Sequence, residues 1–231
     1  MDFTSASFWG ALGSIILANV VLSGDNAVVI AMAARSLPPQ YQRKAIAMGS
    51  AAAIVLRIAL TLVAAKVLGL PFLKAVGAIL LVYIGVSLLK EEDGEEGENH
   101  HGHGTLFAAV RTILIADLVM SLDNVIAVAA AANGDMTLLV IGLAISIPLI
   151  IFGSTLLLKV MERFPIIITL GAALLGFLAG EMLLSDPVVV ERFGEQTHTV
   201  LYGAGVLGAI LVVLLGNYLQ KRAAARTEAT T

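Results

Sequence analysis

Two short stretches of this chain hold the side chains with the most chemistry to offer, and they are copies of one another. The first runs Asn19-Val20-Val21-Leu22-Ser23-Gly24-Asp25-Asn26 and the second Asp117-Leu118-Val119-Met120-Ser121-Leu122-Asp123-Asn124. In each, a carboxamide or carboxylate stands six positions before an Asp-Asn pair, and a serine stands two before the Asp. Both copies lie inside long apolar runs, where an unpaired carboxylate is costly and an ionisable side chain points to function. The ligands on offer are oxygens. Asp25, Asp117 and Asp123, with Asn19, Asn26 and Asn124, suit a hard divalent cation such as Mn2+, Mg2+ or Ca2+ better than a softer metal that selects Cys or His. The competing use is structural, since buried Asn and Asp also hydrogen-bond neighbouring helices. Three buried Asp residues in two matched copies favour the cation.

The helix periodicity limits how these groups can meet. The first and last members of each motif are seven apart and share a helix face, whereas the Asp points about 120° away in an unbroken helix. Both face one cavity if the helix loosens at Ser23-Gly24-Asp25 or Ser121-Leu122-Asp123, and the glycine eases this in the first copy. Arg57 sits at mid-depth in another apolar run and needs a carboxylate there, which predicts pairing with a motif Asp. That pair is either a fixed structural bridge or a counter-charge that neutralises an empty site and yields to a cation. Glu181, near the end of a later run, reads as part of an exit or proton path, or as an interfacial side chain reaching water. Ser23 and Ser121 read as hydroxyl ligands or as back-bonded to their own helix.

The positioning elements are membrane spans. The chain is 58% hydrophobic and only 13% charged, against about 45–50% and 25% in soluble domains. Its apolar runs have spanning length, and the period-two alternation of a membrane barrel is absent. This predicts an all-α polytopic protein with seven transmembrane helices, roughly Phe8–Ala34, Ala45–Ala65, Leu70–Leu89, Thr105–Ala132, Thr137–Lys159, Phe164–Leu184 and Val200–Leu219. The repeat reaches beyond the motifs: Gly49 matches Gly142, Lys66 matches Lys159, Pro71 matches Pro165 and Gly77 matches Gly171, while Arg57 falls opposite Ile150. Three spans per copy is an odd number, so the copies are inverted, as in many secondary transporters with a site near the midplane. The divisions are a first three-helix repeat over 1–90, a linker over 91–104, a second repeat over 105–185, and a seventh helix with a basic tail over 186–231.

Orientation follows the basic residues. Arg35, Arg43, Lys44, Lys90, Lys159, Arg163, Lys221, Arg222 and Arg226 collect on one side, and Lys66, Lys74 and Arg192 on the other. The richer side is cytoplasmic, giving an outside N-terminus and an inside C-terminus. The linker then lies in the cytoplasm with Glu91, Glu92, Asp93, Glu95, Glu96 and Glu98 followed by His100, His101 and His103. It is either a solvated acidic segment or a place where a transition metal is captured and reported.

Several classes fall away. The chain has no cysteine, which removes disulfides, thiolate zinc sites and iron–sulfur clusters. Residues 1–7 carry no basic group, so the first span reads as retained and not as a cleaved signal. The Gly-x-Gly-Asp element of intramembrane aspartyl proteases and the Walker A loop are missing, so no enzyme activity is expected.

Ser23-Gly24-Asp25-Asn26-Ala27-Val28-Val29-Ile30, Ala33-Ala34-Arg35-Ser36-Leu37-Pro38, Ile54-Val55-Leu56-Arg57 and Ser121-Leu122-Asp123-Asn124 together resemble the TerC family of integral membrane proteins, and its YjbE-like branch in particular. The resemblance covers residues 8–220. It implies a seven-span fold within the broader class of cation and amino-acid exporters, and several members are linked to manganese efflux. Carried onto this chain, it implies metal positions at Asp25, Asn26, Asp117, Asp123 and Asn124. Asn19 stands where the second copy has Asp117, so the halves are not chemically equal.

The expectation is a secondary-type exporter of a divalent cation, with Mn2+ as cargo, in a bacterial cytoplasmic membrane. The cation is a transported substrate and not a resident cofactor, exchange for protons on the same carboxylates would supply coupling, and no nucleic acid is involved. Export of an amino acid or other small solute, with Arg57 gripping a carboxylate, and a metal-sensing subunit that transports nothing are the alternatives.

Overall fold

Runs of Leu, Ile, Val and Ala in an apolar medium leave each backbone N–H and C=O to be satisfied within its own segment, and the chain does so as helices. The computed structural model describes the backbone of residues 9–10, 12–17, 24–67, 70–90, 102–131 and 136–228, and the side chains of these except 64–67, 102–105, 123–131, 136, 138–139 and 223–228. Residues 12–17 are helical. They precede α1 (Gly24–Arg35), α2 (Pro39–Val67), α3 (Leu73–Lys90), α4 (Gly102–Ala131), α5 (Met136–Arg163), α6 (Ile166–Leu184), α7 (Pro187–Phe193) and α8 (His198–Glu228). Among the described residues there is no strand. Five stretches are long and apolar enough to cross a membrane: Pro39–Val63, Leu73–Lys90, Val140–Arg163, Ile166–Leu184 and His198–Arg222. The architecture is that of an all-helical, multi-pass membrane protein. The other two expected spans fall on residues 12–17 with α1 and on α4, which are described in part.

The chain divides into two units, Met1–Leu68 with Leu106–Lys159, and Gly69–Thr105 with Val160–Thr231. Each draws helices from both sequence halves. In the first unit α1 buries Asn26, Ala27 and Val29–Ala34, so this helix is enclosed by protein and small residues keep it thin. A tight turn joins it to α2: Leu37 N–H donates to the Ala34 carbonyl, and the Gln42 amide donates to the Leu37 carbonyl at 3.1 Å. Pro39 opens α2, where a missing N–H costs nothing.

Glycines bring the helices of this unit together. A Cβ at Gly49 would overlap the Ile113 side chain, and one at Gly142 would overlap Ile15. Ile15 and Ile113 are 98 positions apart, the same offset as the two motif Asp residues. The isoleucine of each sequence half therefore sits on the glycine of the other. Two turns beyond Gly49, Arg57 meets Asp117 and Ser121, so α2 and α4 lie side by side in the same direction.

In the second unit α3, α6 and α8 pack closely. Cβ atoms at Gly176 and Gly180 would strike the backbone at Gly208 and Ala204, which sets α6 and α8 antiparallel. Gly85 lies against Val212, and Gly216 against Leu89, which sets α3 and α8 parallel. Lipid is as apolar as these side chains, so van der Waals contact between close backbones supplies the attraction. Asp186 ties the end of the unit. Its Oδ1 accepts from Val188 N–H at 3.0 Å and Phe72 N–H at 3.2 Å, and its Oδ2 accepts from Ala75 N–H at 3.1 Å. One buried carboxylate thus caps α7 and the entry to α3, where Phe72 has a left-handed φ of 61°.

Candidate cation-binding site

The α2 face Gly49–Ala53–Arg57 and the α4 face Ile113–Asp117–Ser121 are built on four-residue steps, which stack side chains along one side of a helix. Small residues near one end of this contact let the helices approach, and the polar residues meet further along. Arg57 is 1% exposed, Asp117 5% and Ser121 fully buried. Arg57 Nη2 lies 2.6 Å from Asp117 Oδ1. Arg57 Nε donates to Ser121 Oγ at 3.0 Å, and that hydroxyl donates to Asp117 Oδ2 at 3.2 Å. Both carboxylate oxygens are engaged. A buried guanidinium without such an anion would be strongly destabilising, and the partner that its depth calls for is the first Asp of the second motif.

Asp25 belongs to the same unit. It is half-buried near the start of α1, its Oδ1 accepts from Asn26 N–H at 2.8 Å, and it feels the charges of both Arg57 and Asp117. The next residue is the odd one. The Asn26 side chain is buried, yet neither its Nδ2 nor its Oδ1 has a hydrogen-bond partner among the described residues. Buried carboxamides are almost always satisfied, and an orphan calls for an explanation such as an ion or a water.

The sequence-predicted positions are thus only partly brought together. Asp117 and Arg57 touch, with Asp25 in their field. Among the described residues no three His, Cys, Asp or Glu side chains converge as a metal cage. Asp123 and Asn124 lie on the α4 backbone with their side chains outside the described set, Asn19 and Ser23 lie outside the described residues, and so do His100 and His101. The His103 backbone is in the first turn of α4, which starts inside the expected linker. Glu181 is half-buried near the end of α6, in the other unit. The expected loosening at Ser121-Leu122-Asp123 is not seen, because α4 continues unbroken to Ala131. Leu122 stands there in place of the first copy's Gly24, and leucine favours the helix.

Of the two readings of Ser121, back-bonding is not what the structure shows. The hydroxyl joins the two charges instead. The signal was available, since Asp117 and Ser121 are one turn apart on one face.

Residues 4–224 match the pattern described as the integral membrane protein TerC family. The chain belongs to the TerC family. It is 42% identical over 207 residues to the uncharacterized membrane protein YjbE of Bacillus subtilis, covering 90% of this chain and 94% of that one. The uncharacterized membrane protein YceF of the same organism is 24% identical, with 95% of this chain and 86% of that one covered. The inner membrane protein YoaE of Escherichia coli K12 is 25% identical, with 97% of this chain but 45% of that one covered. No solved structure matches the chain. Arg57, Asp25 and both Asp-Asn motifs all lie within the TerC match.

Proposed function

We propose that this protein is a secondary-type exporter of a divalent metal cation, with Mn2+ as the cargo, in a bacterial cytoplasmic membrane. The carrying observation is the buried Arg57–Asp117–Ser121 cluster with Asp25 in its field and, in the same unit, the Asn26 carboxamide without a partner among the described residues. In this reading the cation enters from the cytoplasm and binds Asp25, Asp117 and Asp123 with help from Asn26, Asn124 and Asn19. Three carboxylates and Arg57 leave two negative charges, which one divalent cation neutralises. Arg57 balances Asp117 while the site is empty and yields on binding. Protons returning on the same carboxylates supply coupling, and no chemical conversion is involved.

The architecture that goes with this function has seven spans. They form two inverted three-helix repeats, residues 1–90 and 105–185, joined by a cytoplasmic linker over 91–104 and followed by the seventh helix and tail over 186–231. The N-terminus is outside and the C-terminus inside. The exchanged contacts, Ile15 on Gly142 and Ile113 on Gly49, support a pseudo-twofold relation between halves. Parallel α2 and α4, and parallel α3 and α8, fit strict alternation of seven crossings. Rocking of one repeat against the other then exposes the site to each side in turn. The partners are the cation and the lipid bilayer. His100, His101 and His103 capture metal at the entrance, and Glu181 lines the way out. Solute export would need the Arg57 guanidinium for a substrate carboxylate, and its engagement with Asp117 and Ser121 favours the cation instead.

The test is cellular manganese in a manganese-sensitive bacterium lacking its own exporters. The strain carries the protein or its Asp25→Asn, Asp117→Asn or Asp123→Asn variant at equal membrane levels. The wild type is expected to lower manganese and the variants to leave it high. If none of the four changes it, manganese export is wrong, and solute export or metal sensing takes its place.

A further inference from the structure

Arg57 holds Asp117 by two routes, and only one is direct. Nη2 bonds Oδ1 itself, while Nε reaches Oδ2 through the Ser121 hydroxyl, which accepts from the guanidinium and donates to the carboxylate. A guanidinium that faces a carboxylate squarely sends two parallel N–H bonds to it. Here the second arm is a serine. Ser121 turns a one-point ion pair into a two-point clamp that takes up both oxygens of Asp117. A cation that binds Asp117 has to open this clamp, and its apparent affinity is the intrinsic affinity scaled by the fraction of molecules in which the clamp is open.

The repeat-matched positions show what is particular to this clamp. Arg57 and Asp117 correspond to Ile150 and Asn19, whereas Ser121 corresponds to Ser23. Arg57 of the first repeat and Asp117 of the second therefore both have a neutral residue at the matching position of the opposite repeat. The serine is kept in both repeats, whereas the residues matching Arg57 and Asp117 carry no charge.

We infer that Ser121 is a positioning residue that sets how readily a divalent cation takes Asp117 from Arg57. This rests on the exporter reading, and deepens it: the serine works against binding by stabilising the cation-free pair. Removing its hydroxyl deletes two hydrogen bonds to charged groups from the closed clamp and raises the open fraction.

The experiment is Mn2+ binding to purified full-length protein in nanodiscs, followed by the electron paramagnetic resonance of free Mn2+, with vesicle uptake for KM and Vmax. Ser121→Ala is expected to bind Mn2+ at least about tenfold more tightly than wild type and to lower KM without raising Vmax. Ser121→Cys, which keeps the side-chain size but bonds weakly, is expected to do the same if the alanine variant does not fold. Ser121→Thr restores a hydroxyl and returns wild-type affinity, and Ser146→Ala, which removes a buried serine back-bonded within α5, leaves affinity unchanged. Weaker binding in Ser121→Ala would make the hydroxyl a cation ligand and overturn the inference. Unchanged affinity, or equal tightening in Ser146→Ala, overturns it as well. Wild-type protein that binds no Mn2+ removes the Mn2+-exporter reading first, and the inference with it.

Discussion

Replacing each member of the buried pair by the residue at its matching position in the opposite repeat is a sharp test of how the charges are held. Arg57→Ile alone takes the guanidinium from the buried Asp117 carboxylate, and Asp117→Asn alone takes that carboxylate's charge from the buried Arg57. Breaking a buried pair from one side costs about 3–5 kcal/mol. For a chain of this size about 2–4 °C in Tm accompanies each kcal/mol, so each single variant is expected to lose roughly 6–20 °C. The double variant removes both charges, and replacing a whole buried pair by neutral residues is about neutral. It should return to within about 2 kcal/mol of wild type, a coupling of at least ~4 kcal/mol. Thermal unfolding of detergent-solubilised protein at one fixed scan rate reads all four proteins side by side. Manganese export should be absent in the double variant although its stability returns. Singles as stable as wild type would mean that the pair is not closed in the folded protein. A double variant as unstable as the worse single would mean that Arg57 and Asp117 each support the fold through other partners.

Asn26→Ala removes a buried carboxamide whose polar atoms are unpartnered among the described residues. Burying such a group costs about 1–3 kcal/mol, so metal-free protein should be as stable as wild type or more so by thermal unfolding, while Mn2+ binding weakens. Lower stability would refute the orphan assignment. Asp186→Ala strips three N–H groups of their acceptor and should cost about 2–4 kcal/mol in the same assay. Asp186→Asn keeps an oxygen for Phe72 and Val188 and should cost about 1 kcal/mol; equal losses for the two variants would show that the carboxylate charge, not its bonds, is what counts.

The need of Arg57 for a carboxylate was legible from its depth alone. Which carboxylate was not, because Asp25, Asp117 and Asp123 all lie at similar depth and the choice depends on which helices touch. That choice is made by Gly49 against Ile113, a contact between sequence halves that no local pattern reveals. The glycines of the later spans were readable as close packing, but the pairing of Gly176 with Gly208 and Gly180 with Ala204 is tertiary. α7 was missed although Asp186-Pro187 has the form of a capped helix start; the surrounding residues simply read as a connection between spans. Loosening at one motif or the other was the condition for Asp123 to share a face with Asp117, and α4 does not loosen at the second motif, which lacks the glycine of the first.

The units interleave along the chain, and this sets a timetable for a ribosome-bound protein. At about 5–20 residues per second, α2 emerges with Arg57 and waits roughly 3–12 s for Asp117, 60 residues later. α3 waits longer, since its entry loop is closed by Asp186, 114 residues beyond Phe72. The two delays are unequal in kind. α3 carries its only charges, Lys74 and Lys90, at its ends, where long side chains reach water, so it can rest alone in lipid. α2 carries an arginine in its interior and cannot do so cheaply. The insertion machinery therefore has to shelter α2 until α4 arrives, and a stall placed between them should expose α2 to quality-control proteolysis, whereas one placed between α3 and α6 should spare α3.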